Sequence, residues 1–178
     1  MVNYDVTTAA GSLEFDTQDC GWNCCYPIDS NHYINFWQWV SSDWYVQVFE
    51  INTSTRAVTT AGASLEFDTI NWTKNSCYPI DSNHYISFWQ WSDTDWYVQV
   101  FEVNTSTRAV TTAAASLEFD TVNNSWNSCY PIDINHYINF YSWSDGDWYV
   151  EVFEVNTSTR AVTTTNTCLL YTSDAADE

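Results

Sequence analysis

The sequence predicts an all-β fold of tandem four-stranded antiparallel blades, and three observations predict it. The first is a repeat of 52 residues with almost no drift: Leu13, Leu65 and Leu117 lie in S-L-E-F-D-T segments, His32, His84 and His136 in N-H-Y-I segments, and Arg56, Arg108 and Arg160 close N-T-S-T-R segments. Asp43-Trp44, Asp95-Trp96 and Asp147-Trp148 each precede Tyr-Val. A period of this length marks a supersecondary unit that needs a neighbouring copy to bury its apolar face. The second observation is composition. Aromatics make up 18% of the chain, too apolar for disorder, while helix formers are scarce and no stripe at i, i+3, i+4 persists. The third is punctuation: clusters of Asn, Asp, Ser and Thr divide each unit into short runs.

The second unit shows the elements in order. Ser76 to Asp81 is a short extended run, followed by a turn at Ser82-Asn83. His84 to Trp91 is rich in aromatic and branched residues, which suit a pleated strand. A turn cluster spans Ser92 to Asp95. Trp96 to Val103 then alternates, with Tyr97, Gln99 and Phe101 on one face and Trp96, Val98 and Val100 on the other. After a second turn cluster at Asn104 to Thr107, Arg108 to Asp120 reads as a further strand, kinked at Ala113 to Ala115. Both faces of the two middle strands are apolar, so both faces need cover, as in stacked sheets. Units of this kind are β-propeller-like, and three of them make an incomplete or open arc, because propellers close with roughly four to eight blades.

The expected organisation is a strand over residues 1–17 that completes a neighbouring unit, repeat 1 over 18–69, repeat 2 over 70–121, and an incomplete repeat 3 over 122–167. Residues 168–178 (C-L-L-Y-T-S-D-A-A-D-E) resemble a translated sequencing-library adapter and are read as a non-native tail, which predicts a natural sequence running on past Thr167. On this reading the N-terminal strand is a free donor and the last unit an open acceptor. Chains then join head to tail, as a ring if the rotation closes and a fibre if it does not. The competing reading is a stretch of a longer propeller.

The motifs I-D-S-x-H-[FY]-[IL]-x-F-W, at Ile28, Ile80 and Ile132 onward, and V-T-T-A-x-x-x-L-E-F-D-T, at Val6, Val58 and Val110 onward, resemble those of bacterial and metagenomic β-propeller-type tandem-repeat proteins. The likeness covers nearly all of residues 2–167. Many members of that group carry Gly where Trp44, Trp96 and Trp148 stand here. The resemblance implies the blade architecture and carries no activity with it.

Charge narrows the partners. Lys and Arg number 4 against 23 Asp and Glu, a formal charge of −19. Nucleic acid and anionic membrane surfaces are poor partners, since no basic patch displaces phosphate counterions. No apolar run approaches the roughly 18 residues of a membrane-spanning helix.

The candidate sites recur with the repeat. Cys25, Cys77 and Cys129 occupy equivalent positions and read as buried thiols, while Cys20, Cys24 and Cys25 form a local cluster able to close a disulfide. The Asp29/His32, Asp81/His84 and Asp133/His136 pairs span tight turns, and their threefold copying points to turn chemistry and not to catalysis. Asp93 with Asp95 and Asp145 with Asp147 make D-x-D turns, the one place where calcium would find carboxylate oxygens; no other cofactor is expected. Glu50, Glu102 and Glu154 are candidate partners for Arg56, Arg108 and Arg160. Asn52, Asn104 and Asn156, with Asn71 and Asn123, are glycosylation sequons in register. Trp39, Trp44, Trp91, Trp96, Trp143 and Trp148 flank one turn and either stack on sugars or fill the space between blades.

Together these predict a non-catalytic extracellular or cell-surface repeat protein acting in display or self-assembly. The alternative is a lectin-like carbohydrate-binding propeller, with an enzyme more distant. The expected partners are other copies, the missing repeats, or glycans.

Overall fold

A computed structural model of the chain describes residues 11–16, 20–39, 43–69, 72–91, 94–122, 124–143 and 146–171, the side chains of 20–22, 72–74, 124–125 and 166–171 excepted. Every regular element among them is a strand. The first sheet holds β1 (Cys20–Pro27), β2 (His32–Trp39), β3 (Trp44–Ile51), β4 (Val58–Thr60) and β5 (Leu65–Asp68). The second repeats it with β6 (Trp72–Pro79), β7 (His84–Trp91), β8 (Trp96–Val103), β9 (Val110–Thr112) and β10 (Leu117–Asp120). The third holds β11 (Asn124–Pro131), β12 (His136–Trp143), β13 (Trp148–Val155) and β14 (Val162–Tyr171). All pairings are antiparallel between consecutive strands of a sheet, with β4 and β5 sharing the outer edge of β3 and β9 and β10 that of β8. The result is an open, propeller-like arc of three blades.

The kink expected in the fourth strand is a break into two pieces. β3 meets Thr60 at Phe49 and Leu65 at Val46, so the outer strand carries two residues more than its partner over that interval. Extra residues on one side of a ladder bulge outward and bend the strand. The inserted loop is used: Gln47 and Gln99 donate to the carbonyls of Gly62 and Ala114 within it. The first strand of the unit begins earlier than its sequence suggests, at Trp72 in place of Ser76.

The middle strands of the second blade bury both faces, as their two-sided apolar pattern requires, and those of the outer blades bury the face turned to the second. Ile34, Phe36, Trp44, Val46 and Val48 leave the first blade on one side and meet Tyr85, Trp89, Phe101 and Val103 of the second. Ile86, Phe88, Val98 and Val100 leave the second and meet Tyr137, Phe153 and Val155 of the third. One ring bridges each joint. Phe67 of β5 lies edge-on to Phe36 of its own blade and to Trp89 and Phe101 of the next, and Phe119 of β10 repeats this with Phe88, Tyr141 and Phe153.

Both ends of the array make contacts of their own. Residues 11–16 lie on their own first blade. Phe15 sits edge-on to Trp37 and Phe49, with ring centroids 5.2 and 4.8 Å away, where Phe67 meets Trp89 and Phe101 at 5.4 and 4.9 Å. At the other end β14 pairs with the whole of β13, including Cys168 opposite Val150 and Tyr171 opposite Trp148. The adapter-like residues 168–171 thus continue the strand, because ladder pairing needs main-chain groups and tolerates a changed side-chain sequence. Residues 172–178 lie outside the described residues.

Removing a bridging ring leaves a cavity in a joint. Phe67→Ala and Phe119→Ala are each expected to lower unfolding stability by about 3 kcal/mol, and Phe15→Ala by clearly less, because Phe15 is exposed on one side. Denaturant titration of the three variants checks the order.

Candidate functional site: the repeated joint between blades

The Asp-x-x-His turn stands at the rim of the joint. Asp29 Oδ1 accepts the backbone N–H groups of Asn31 and His32 at 3.0 and 2.9 Å, which closes the turn. His32 Nδ1 lies 2.8 and 2.9 Å from the two carboxylate oxygens, so the proton sits on Nδ1. Asp81 with His84 and Asp133 with His136 repeat these distances. The second carboxylate oxygen then reaches out of the blade: Arg108 Nη2 donates to Asp29 Oδ2 at 3.1 Å, and Arg160 Nη2 to Asp81 Oδ2 at 3.0 Å. Each arginine therefore grips the blade before its own.

This corrects the expected partners of the arginines. Glu50, Glu102 and Glu154 accept from the side chains of Asn31, Asn83 and Asn135 and steady the same turn from within the blade. The backbone explains why the arginines reach elsewhere. Arg56, Arg108 and Arg160 stand at φ of 62°, 59° and 60°, the left-handed region that favours glycine. They follow an Asn whose Oδ1 accepts two turn N–H groups, and each donates its own N–H to that Asn carbonyl. A side chain in this region costs about 1 kcal/mol or more, and Arg108 and Arg160 use it to cross the joint.

Two further contacts lock each joint. Cys24 is disulfide-bonded to Cys77 of the next blade, with Cα atoms 6.1 Å apart, inside the usual window. The local pairing expected among Cys20, Cys24 and Cys25 is thereby corrected. Strands β1 and β6 lie side by side, and the bridging residues are displaced by 53 positions, one more than the repeat. Cys25 is a free, exposed thiol and Cys129 a free, buried one, held well above the ordinary thiol pKa by burial. The Cys20 side chain lies outside the described residues. At the second joint Ser76 stands in place of Cys24, and its Oγ accepts the Cys129 N–H at 3.1 Å. Finally the Tyr85 hydroxyl donates to the Pro27 carbonyl at 3.3 Å and that of Tyr137 to Pro79 at 3.5 Å. Burial, helped by the Asp29 and Asp81 carboxylates, pushes Tyr85 up to about 12, which keeps it a donor.

The tryptophans divide into two groups. Trp44 and Trp96 have no exposed surface, lying against Phe67 and Phe119, and offer no face to a sugar; this corrects their reading as stacking platforms. Trp148, their counterpart on the last blade, is 40% exposed. Trp39, Trp91 and Trp143 are half-buried against Tyr45, Tyr97 and Tyr149. Their indole N–H groups donate to Asp16, Asp68 and Asp120, at 2.9 Å for the latter two. The last carboxylate of each L-E-F-D segment thus holds the indole of the following blade.

Of the D-x-D turns, Asp93 and Asp145 lie outside the described residues, while the Asp95 and Asp147 carbonyls accept the Trp91 and Trp143 N–H groups. Asn52, Asn104 and Asn156 stand exposed on hairpin turns; Asn71 and Asn123 lie outside the described residues. Sequence reasoning gave each arginine a carboxylate within its own unit, from the signal of a single arginine per unit in so acidic a chain, and missed that Arg108 and Arg160 reach the preceding blade and that Cys24 bridges to Cys77. Comparison with protein-family models and with curated proteins finds no match.

Two outcomes follow from this geometry. Asp29 is raised by burial, but the Asn31 N–H, the His32 imidazole and the His32 N–H outweigh that and hold it at about 2. A depressed carboxylate contributes stability above its unfolded pKa of about 3.9, lost as pH falls through the folded value. Thermal midpoints are expected to be flat above about pH 5 and to drop between about pH 4 and 2, and Asp29→Asn should flatten that drop. The arginines are separable by their strain. Arg56 makes no ion pair among the described residues, so Arg56→Gly should raise stability by about 1 kcal/mol. Arg108→Gly should return less, since the lost contact with Asp29 offsets the relief; equal gains in denaturant titrations would show that the pair contributes nothing.

Proposed function

We propose that this chain is a non-catalytic, extracellular or cell-surface repeat module that acts in self-assembly and display. The observation that carries the reading is where the repeated polar residues are spent. Asp29, His32 and Arg108, with their copies, close turns and tie blade to blade, a structural role that every unit needs equally. An interblade disulfide supports an oxidising compartment. The exposed Asn52, Asn104 and Asn156 turns sit at one register of successive blades and suit glycans displayed in a row. A charge of −19 keeps such a surface soluble and hydrated.

Two outer blade faces support the assembly reading. The first blade's outer face and the last blade's outer face are the two halves of a joint that the chain makes twice internally. Heterologous contacts of that kind give a ring or a fibre. Sedimentation velocity of the intact chain over a range of concentrations should show association rising with concentration, and a monomer throughout would end the assembly reading. Secretion from a eukaryotic host should add glycosidase-sensitive mass that Asn52→Gln, Asn104→Gln and Asn156→Gln each reduce.

A further inference from the structure

The unused halves of the joint specify more than association, and the argument rests on the assembly reading above. On the first blade, Tyr33, Ile51 and Val58 are partly exposed, whereas their copies Tyr85, Val103 and Val110 are buried in the first joint. On the last blade, Ile138, Phe140 and Val152 are partly exposed, whereas Ile34, Phe36 and Val48 have no exposed surface. The polar locks are halved in the same way. Arg56 holds the left-handed conformation at φ 62° with no carboxylate to meet among the described residues. Asp133 holds its turn and its histidine and receives no arginine among them. Cys25 stands at the repeat position of Cys77 and Cys129, whose N–H groups donate to Cys24 Sγ and Ser76 Oγ of the blade before them, and Ser128 stands at the position of Cys24 and Ser76.

We infer that a second copy of this chain docks its first blade on the last blade of the first copy in the register of the internal joints. Arg56 of one copy meets Asp133 of the other, Tyr33 meets the Pro131 carbonyl, and Cys25 faces Ser128. The register also settles which strand completes the last blade. In the internal joints Leu65, Glu66 and Asp68 pair with Val46, Tyr45 and Trp44, and Tyr45 donates to Glu66 at 2.6 Å. On the last blade Cys168, Leu169 and Tyr171 hold those places. The incoming copy carries Leu13, Glu14, Phe15 and Asp16 already seated on its first blade. Two strands cannot share one place, so residues 168–171 give way to the L-E-F-D segment, which restores both carboxylates.

Ser128→Cys tests the register in the full chain, because it rebuilds across copies the disulfide that Cys24 and Cys77 make within one. At about 0.3 M salt, which screens the acidic surfaces to under a nanometre, mild oxidation should give covalent dimers and larger species on a non-reducing gel. Adding Cys25→Ser to the same chain should abolish them, and Arg56→Glu should weaken association at least about tenfold in sedimentation. No trapping in an associating chain, trapping that survives Cys25→Ser, or association indifferent to Arg56→Glu would overturn the register while leaving assembly intact. A parent chain that sediments as a monomer throughout would overturn both.

Discussion

A blade of this protein is unstable alone because its middle strands are apolar on both faces. Everything else follows from stacking one blade's face on the next. The rows that begin with Ile34 and with Tyr85 form one core, and those that begin with Ile86 and with Tyr137 form the other. Each core lies between sheets and not within one, so the folding unit is the joint and not the 52-residue repeat. A repeat array stabilised this way behaves as a chain of nearest-neighbour couplings, and its terminal faces are uncovered unless something caps them. Phe15 partly performs that role at one end, seated where Phe67 and Phe119 sit inside the array.

Apolar faces alone would slide, and the polar residues fix where they stop. The joint is pinned near its inner strands by Cys24 with Cys77, at the turn by Arg108 with Asp29, and at the outer strand by Trp91 with Asp68. Each pin joins residues from different hairpins, so none can form until the blades are in register. Individually such contacts contribute little where solvent reaches them. Their value is positional, and it accounts for keeping Arg at a left-handed position that glycine would occupy with less strain.

The fold class was legible because it depends on periods: 52 residues between copies and two residues within each strand. The middle strands were read to the residue, His84–Trp91 and Trp96–Val103, since turn clusters bound them on both sides. The split of the outer strand into β9 and β10 was visible only as a kink, because its cause is a mismatch in length against β8 that no local pattern encodes. The site was less legible. The Asp–His turn is local and could be seen. The Asp29–Arg108 and Cys24–Cys77 contacts join positions 79 and 53 apart, and their partners become neighbours only when two sheets stack. Trp44 misleads for the same reason: a ring beside a turn reads as exposed until the next blade covers it.

The acidic surface bears on how such an array can extend. Like charge on every copy opposes association, yet the faces that stack carry almost none of it; the carboxylates gather at turns and strand edges. Repulsion is therefore long-ranged and screened by salt, whereas the apolar burial is short-ranged and insensitive to it. Arg108 and Arg160 stand at the rim of the joints, where each removes one local repulsion by meeting the preceding blade's aspartate. Within the chain, the alignment that brings Arg108 to Asp29 and Arg160 to Asp81 is the same alignment that closes the apolar core between blades.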